Sequence, residues 1–289
     1  MRFAVISDIH SNFPALQAVA KDLETVRPDF IWVAGDFINR GPQPREVLEF
    51  LLEKQWPLLR GNHEDYVVAQ CEGFAPDDIR ANPIWRPAQW TAEQLNKDDS
   101  AFGSLPLTTT FDVPNDNVLN DNVLNDNRVL DNRVLIAHGT PQANNDGVFG
   151  KTTNDELRQM LGDNPPSLFV CAHTHVSLIR EIDQTLVLNV GATGLPFNGD
   201  PRAQYGVFTW QNNVWNAELR KIEYDREKTY RAFESGGFLK DGGPLARVIM
   251  HEVETASPHL GPWVRHFADS VRGGHMTVAQ ATDAYFAMS

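Results

Sequence analysis

Leu58-Leu59-Arg60-Gly61-Asn62-His63-Glu64 runs two apolar residues into a glycine turn, and three polar side chains follow at once. Tyr66-Val67-Val68 then resumes an apolar pattern that reads as the first turns of a helix. The stretch is a strand end, a tight turn and a helix start, which is where ligands bind in an open α/β sheet. Gly61 lets the backbone turn sharply or approach a ligand closely. Asn62 offers a carbonyl oxygen suited to a hard cation, and His63 offers a proton near neutral pH. Alone, the stretch would also serve as an ordinary loop with a helix cap, so its meaning depends on what the other strand ends carry.

Upstream the same grammar occurs twice. Phe3-Ala4-Val5-Ile6 is a short continuous apolar run, as a buried strand requires, and it ends in Ser7-Asp8-Ile9-His10-Ser11-Asn12. Pro14 opens a helical pattern with Leu16, Val19, Ala20 and Leu23 on one face. Asp8 and His10, two apart on extended chain, are expected to point to the same side. Singly, Asp8 reads as a capping aspartate and His10 as a loop histidine. Phe30-Ile31-Trp32-Val33-Ala34 is the second strand and ends in Gly35-Asp36-Phe37-Ile38-Asn39-Arg40-Gly41-Pro42. A helix from near Pro44 follows, with Val47, Leu48, Leu51 and Leu52 apolar. Three repeats of strand, polar turn and helix read as an α/β fold with helices over a sheet.

Downstream, residues 64–96 read as mostly helical, interrupted around Phe74-Ala75-Pro76 and Asn82-Pro83. Trp85 and Trp90 read as packing residues or as the wall of a cleft. Residues 105–113 suit a strand, with Thr108, Thr109 and Thr110 in it. Asn117-Val118-Leu119, Asn122-Val123-Leu124, Arg128-Val129-Leu130 and Arg133-Val134-Leu135 repeat at spacings near five. That period matches neither helix nor strand and is far below a solenoid unit. It reads as a tandem expansion of one hairpin turn, with residues 115–130 mobile and only Val134-Leu135-Ile136-Ala137 needed as a core strand; the alternative is a small ordered flap beside the site. That strand ends in His138-Gly139-Thr140-Pro141. A helix around residues 155–161 follows, then the apolar run Leu168-Phe169-Val170-Cys171, which ends in Ala172-His173-Thr174-His175. Residues 186–190 and 205–210 are further strands. From about Ala217 the rhythm stops, and residues 224–234 and 277–287 read as helices. The expected organisation is a core of residues 1–216, carrying the 115–130 insertion, and a C-terminal helical tail or small cap of residues 217–289.

A chain of 289 residues with 42% apolar residues can bury a large core. Its net charge of −13 disfavours non-specific binding to nucleic acid or to an anionic membrane. An anionic substrate stays open, because a bound metal can dominate the local field. No uncharged apolar run spans a bilayer, the N-terminus does not read as a signal peptide, and two cysteines make no disulfide framework. A reducing, cytoplasmic setting is expected. The oligomeric state is left open, a homodimer included.

Five of the nine histidines fall at ends of predicted strands, together with Asp8, Asp36 and Asn62. The other four, His251, His259, His266 and His275, lack metal-like spacing and read as surface or core residues. Oxygen and imidazole donors without thiolates suit Mn²⁺, Fe, Zn²⁺ or Ni²⁺, with Mn²⁺ the first choice. The series Asp8-Ile9-His10, Gly35-Asp36, Gly61-Asn62-His63-Glu64, His138 and His173-Thr174-His175 resembles the calcineurin-like metallophosphoesterase superfamily, with all five motifs in order. The Asn189 to Tyr205 stretch is similar to its bacterial phosphodiesterase branch. The first two glycine-bearing turns lean toward the branch of serine/threonine phosphatases and diadenosine tetraphosphatases.

The resemblance implies a four-layer α-β-β-α sandwich of two mixed sheets with flanking helices. It implies that Asp8, His10 and His175 hold one metal, that Asn62, His138 and His173 hold another, and that Asp36 bridges them. It gives His63, Asp36 and Arg40 catalytic roles and places Asn62 and Arg40 on the phosphate. His63 would touch no metal, but protonate the leaving alkoxide or orient the phosphate. The activity implied is hydrolysis of a small phosphodiester or nucleotide-type phosphoester by activated water. A serine/threonine phosphatase and a catalytically silent scaffold, like the retromer subunit of this fold, are the alternatives. Two positions depart from the pattern. Ala172 replaces a glycine, and Asn39 stands where protein phosphatases have an aspartate beside the catalytic histidine. Without that carboxylate His63 is held less easily as a cation, which favours a nucleotide or general phosphoester over a phosphoprotein.

Overall fold

In a computed structural model, residues 1–71, 76, 80–95, 99–113 and 132–288 are described. The repeat at 115–130 and the helix break at residues 74–75 lie outside the described residues. The last copy of the repeat, Arg133-Val134-Leu135, opens strand β4 (Arg133–Ala137).

Two mixed sheets form the centre. One has the order β2-β1-β8-β9, built from β1 (Arg2–Ile6), β2 (Phe30–Val33), β8 (Ala203–Gln211) and β9 (Val214–Ile222). The other has the order β3-β4-β5-β7-β6, with β3 (Thr108–Asp112), β5 (Leu168–Cys171), β6 (Leu178–Ile182) and β7 (Thr185–Asn189). β1 pairs parallel with β2 and antiparallel with β8, while β5 pairs parallel with both β4 and β7. Leu58 makes a single parallel bridge to Val33, so the run before Gly61 is a short extension of the sheet rather than a full strand.

Side-chain alternation assigns the layers. Phe3 and Val5 of β1 meet Leu168 and Val170 of β5, Phe208 and Trp210 between the two sheets. Ala4 and Ile6 turn the other way, onto Leu16 and Val19 of α1 (Phe13–Val26) and Val47 and Leu51 of α2 (Pro44–Lys54). Phe169 and Cys171 turn outward to pack with Leu157 of α5 (Asn154–Leu161). Helix, sheet, sheet and helix are thus stacked in four layers, as the resemblance implies. Because both faces of β1 and β5 are covered, these strands read as continuous apolar runs.

Beyond the sheets, α3 (Asn62–Val68), a 3₁₀ turn at Pro83–Trp85 and α4 (Arg86–Gln94) adjoin a helical C-terminal region. That region contains α6 (Arg226–Ser235), α7 (Phe238–Asp241), α8 (Leu245–Thr255), α9 (Leu260–Arg272) and α10 (Val278–Met288). Trp90 packs with Phe233, Phe238 and Ile249, which ties α4 to these helices. β9 runs past Ala217 to Ile222, so the last sheet strand crosses the residue at which the sequence rhythm stops. Among the described residues no helix is long and apolar enough to cross a membrane.

Candidate metal centre

The loops after β1, β2, β4 and β5 meet at one end of the sandwich. Backbone hydrogen bonds zip the first two together: His10 N–H donates to Asp36 O at 3.0 Å and Ser11 N–H to Phe37 O at 3.1 Å. Gly194 N–H donates to Asp8 O at 2.9 Å, which fastens the loop after β7 to the same point. The contact is close, since a Cβ on Gly194 would lie 1.8 Å from the Ile9 carbonyl oxygen.

The backbone does not stay extended here. Asp8 and His10 have φ of 49° and 47°, so the expectation that they share a face by strand alternation is corrected. Asp36, Asn39, Arg40, His173 and His175 also lie at φ between 51° and 67°. Left-handed conformations at residues other than glycine cost on the order of 1–3 kcal/mol each and cluster where a site over-determines the chain. The hydrogen-bond zip between loops supplies that determination.

Two groups of donors result. Asp8, His10, Asp36 and His175 have ligating atoms within 4.8 Å of one another, and so do Asp36, His138 and His173. Asp36 belongs to both. Asn62 joins the second group through its carbonyl oxygen, 3.1 Å from His138 Nε2 and 2.9 Å from His173 Nδ1. All seven residues named from the sequence as ligands are therefore brought together. Of the four C-terminal histidines, none belongs to either group.

The donors are aimed and incompletely satisfied. His138 donates Nδ1–H to the Ala34 carbonyl at 2.8 Å, and His175 donates Nδ1–H to the Leu195 carbonyl. Each imidazole thus presents Nε2 to the cluster, the arrangement usual for metal-binding histidine. Asp36 Oδ1 accepts the His63 N–H at 2.8 Å, and Asp8 Oδ2 accepts the His173 N–H at 3.1 Å. Their other oxygens, Asp36 Oδ2 and Asp8 Oδ1, are buried and face histidine nitrogens, His138 Nε2 at 3.2 Å and His175 Nε2 at 3.3 Å, without the geometry of a hydrogen bond. His10 Nε2 and His175 Nε2 lie 3.2 Å apart, and His173 Nδ1 and His138 Nε2 lie 3.3 Å apart. Orphaned carboxylate oxygens and nitrogen lone pairs at such distances are costly unless a cation lies among them. The donor set therefore fits cations.

Charge follows the same geometry. Burial holds the His10 and His63 imidazoles well below their usual range, and neighbouring cationic groups add to this. Burial, helped by His138, lowers His173 to about 4. Burial would also lower His138, but the Asp36 carboxylate beside it lifts it to about 10. Burial alone would raise Asp36, yet His138 beside it holds it well below the usual carboxylate range.

His63 stands outside both groups, as expected. Asn39 Oδ1 accepts the Arg40 N–H at 2.8 Å, which turns the Asn39 amide nitrogen to His63 Nδ1 at 2.9 Å. An amide can only donate there, so the His63 proton sits on Nε2 and the ring stays neutral. Arg40 lines the cleft above the donors, and its Nε has no hydrogen-bond partner among the described residues.

Three contributors escaped the sequence reading. Glu64 is fully buried and accepts the N–H groups of Asp36 and Gly61 at 2.8 Å and of Phe37 at 3.0 Å. Burial pushes its carboxyl up to about 8, with the Asp36 charge adding. The signal was the spacing Gly61-x-x-Glu64, in which a glutamate at the third helical position reaches back to the N–H of the residue before the helix. Phe197 stacks on His175 with centroids 4.3 Å apart. Glu252 of α8, also fully buried, places Oε2 4.0 Å from Arg40 Nη1; nothing local in sequence marks that pair. Of the two tryptophans, Trp85 lines the cleft and Trp90 packs in the core.

Comparison with known proteins agrees with this geometry. The chain is 25% identical over 243 residues to the uncharacterized protein MJ0912 of Methanocaldococcus jannaschii, covering 78% of this chain and 89% of the relative. It is 33% identical over 76 residues to a symmetrical bis(5'-nucleosyl)-tetraphosphatase of Buchnera aphidicola subsp. Schizaphis graminum, covering only 25% of this chain and 28% of the relative. A metallophosphoesterase from Sphaerobacter thermophilus superposes with a TM-score of 0.65 at 23% identity, over 89% of this chain and 100% of that one, a likeness of fold. The calcineurin-like phosphoesterase family model matches residues 1–177, and the chain belongs to that family, a family of metal-dependent phosphoester hydrolases.

Proposed function

We propose that this chain is a dinuclear phosphoesterase acting on small phosphodiesters or nucleotide-type phosphoesters. The observation that carries the reading is the sharing of Asp36 between two donor groups, with one carboxylate oxygen left without a donor. Asp8, His10 and His175 would hold one ion, Asn62, His138 and His173 the other, and Asp36 both. Manganese suits this oxygen and imidazole set, and iron, zinc and nickel are the other candidates. Cations held there supply Lewis acidity that activates water and offsets charge on phosphoryl oxygens.

The chain's own groups do the rest. The Arg40 guanidinium, with its Nε unpartnered, binds a phosphoryl oxygen. His63 Nε2–H faces no competing acceptor among the described residues and donates to the leaving oxygen. Asn39 holds that proton at Nε2 by occupying Nδ1. Glu64 keeps Asp36 in place through the backbone of its loop. A neutral His63 beside an amide, rather than a cation beside a carboxylate, favours a small phosphoester over a phosphoprotein. The nucleotide substrate named for the tetraphosphatase relative is of this small, polyanionic kind.

The test is a substrate panel with added Mn²⁺: bis(p-nitrophenyl) phosphate, p-nitrophenyl phosphate, cyclic nucleotides, diadenosine tetraphosphate and a phosphoserine peptide. Chelator-sensitive hydrolysis of the small esters, with the peptide untouched, is expected. Turnover that survives chelation would refute the metal-dependent reading, and preferential peptide turnover would transfer the chain to the protein phosphatases.

A further inference from the structure

The cleft above the donor cluster holds more than a phosphoryl group. Its volume is about 540 Å³, within the range of small-molecule sites. Asp36, Asn62, His173 and His175 of the cluster line it, with His63 and Arg40. Away from them its lining turns apolar and aromatic, with Tyr66, Trp85, Leu260 and Val264 prominent. The rings form a series leading outward. His63 and Tyr66, one turn apart on α3, meet edge to face with centroids 5.0 Å apart, and Tyr66 meets Trp85 at 5.0 Å. Tyr66 and Trp85 are only half-buried, and Val264 on α9 is 38% exposed.

Charge in the cleft is opposite to that of the chain. The protein carries −13, yet Asp36 is the one carboxylate among the residues lining this cleft, where Arg40, Arg265 and Arg272 also appear. Arg272 pairs with Asp269 at 3.3 Å. Arg265 makes no hydrogen bond or ion pair among the described residues. An anion that also carries a flat apolar group matches both features.

We propose that Trp85 and Tyr66, together with Leu260 and Val264 of α9, form a subsite for the nucleobase of a nucleotide ester whose phosphoryl group lies against Arg40 and the donor cluster. The subsite rests on the phosphoesterase reading for its phosphoryl end only. Its aromatic rings come from Tyr66 on α3 and Trp85 in the 3₁₀ turn, and its aliphatic side comes from α9, which lies beyond the residues that the family model matches. Selectivity for the base-bearing half of the substrate is thereby shared between the Tyr66–Trp85 pair and the C-terminal helix α9.

The test is calorimetric binding of the methylenephosphonate analogues of AMP and of ribose 5-phosphate, in which a CH₂ group replaces the ester oxygen so that neither is hydrolysable, to the Mn²⁺-loaded full chain. The adenosine compound is expected to bind on the order of tenfold more tightly, as base–aromatic stacking gives elsewhere. Trp85→Ala should reduce it to the ribose level and leave the ribose compound within twofold, and Trp85→Phe should keep most of the preference. Val264→Glu changes an exposed side chain and should also weaken only the adenosine compound, which keeps the test intact if Trp85→Ala folds poorly. Equal affinity of the two compounds in the wild type overturns the subsite, as does a preference untouched by both Trp85→Ala and Val264→Glu. Turnover of p-nitrophenyl phosphate, followed in parallel, separates the two ideas. Base preference without turnover would sink the phosphoesterase reading alone, and turnover without base preference would sink the subsite alone.

Discussion

His63 is the residue on which the chemistry turns, and its neighbours define what it can do. With Asn39 donating to Nδ1, the ring offers a proton at Nε2 without carrying a charge. His63→Ala should therefore keep metal content unchanged and lower kcat roughly 10²–10⁴-fold on substrates with poor leaving groups. Metal analysis beside steady-state kinetics checks this, and an unchanged kcat would remove His63 from the mechanism. Gly61 makes a complementary prediction. A Cβ there would lie 2.1 Å from Asp36 Oδ1, so Gly61→Ala should displace the shared carboxylate and lose both metal and rate. Full metal occupancy in that variant would contradict the packing. Identities at this scale were legible from the sequence, because metal-ligating residue types stood at successive strand ends. Conformations were not. Nothing in Asp8-Ile9-His10 announces φ near +50°, since the left-handed backbone is imposed by hydrogen bonds to residues 35–37.

At the scale of elements, α8 and α9 are joined to the site through a single carboxylate. Glu252 Oε1 accepts the N–H groups of His259 and Leu260 at 2.8 and 2.7 Å, which caps the start of α9, while Oε2 faces Arg40. Glu252→Ala should destabilise the protein by about 1–2 kcal/mol, because it leaves two part-buried donors and a guanidinium unpaired. Glu252→Gln, which retains an acceptor, should cost less. Thermal unfolding measures both, and an alanine variant as stable as the wild type would show the cap to be idle. A second joint links α1 to the first sheet. Asp22 accepts from Arg220 Nε at 2.8 Å and from the Tyr205 hydroxyl. The Arg220 hydrogen bond is the main influence holding the Asp22 carboxyl below its usual range, against burial, which raises it. A depressed folded pKa stabilises above the unfolded value of about 3.9 and is lost as pH falls through the folded value. Asp22→Asn should thus lose about 1 kcal/mol at pH 7, and the gap to wild type should close as pH drops below about 4. Urea unfolding across that range checks it, and a constant gap would show that ionisation is irrelevant. Interior strands such as β1 and β5 were legible as unbroken apolar runs. The edge strands β6 and β9 were not, because one face of each meets solvent and their sequences read as mixed. In α8 the buried Glu252 falls on the same face as Leu245, Val248 and Ile249, which blurs an otherwise helical stripe.

Across the whole molecule, strain and unpaired polar groups are concentrated at one end of the sandwich. Eight non-glycine residues of the donor loops adopt left-handed backbone, and two of these loops' buried carboxylate oxygens lack donors among the described residues. Cations that satisfy those groups should stabilise the fold as a whole, since they bind the native state and not the unfolded chain. Saturation at about 100 times the dissociation constant contributes about 2.7 kcal/mol. Chelation should accordingly lower Tm by roughly 5 °C in scanning calorimetry, and readdition of Mn²⁺ should restore it. No shift would mean that the loops are held without metal. Distance in sequence explains what could not be foreseen at this scale. Arg40 and Glu252 are brought together only by the complete fold, whereas each ligand loop is announced by its own strand.

The most direct test is to count and locate the ions. Anomalous diffraction at the manganese edge, on crystals grown with Mn²⁺, should show two peaks per chain, one among Asp8, His10 and His175 and one among Asn62, His138 and His173, with Asp36 between them. A single peak, or none at full metal load, would contradict a shared-carboxylate pair and with it the mechanism built on it.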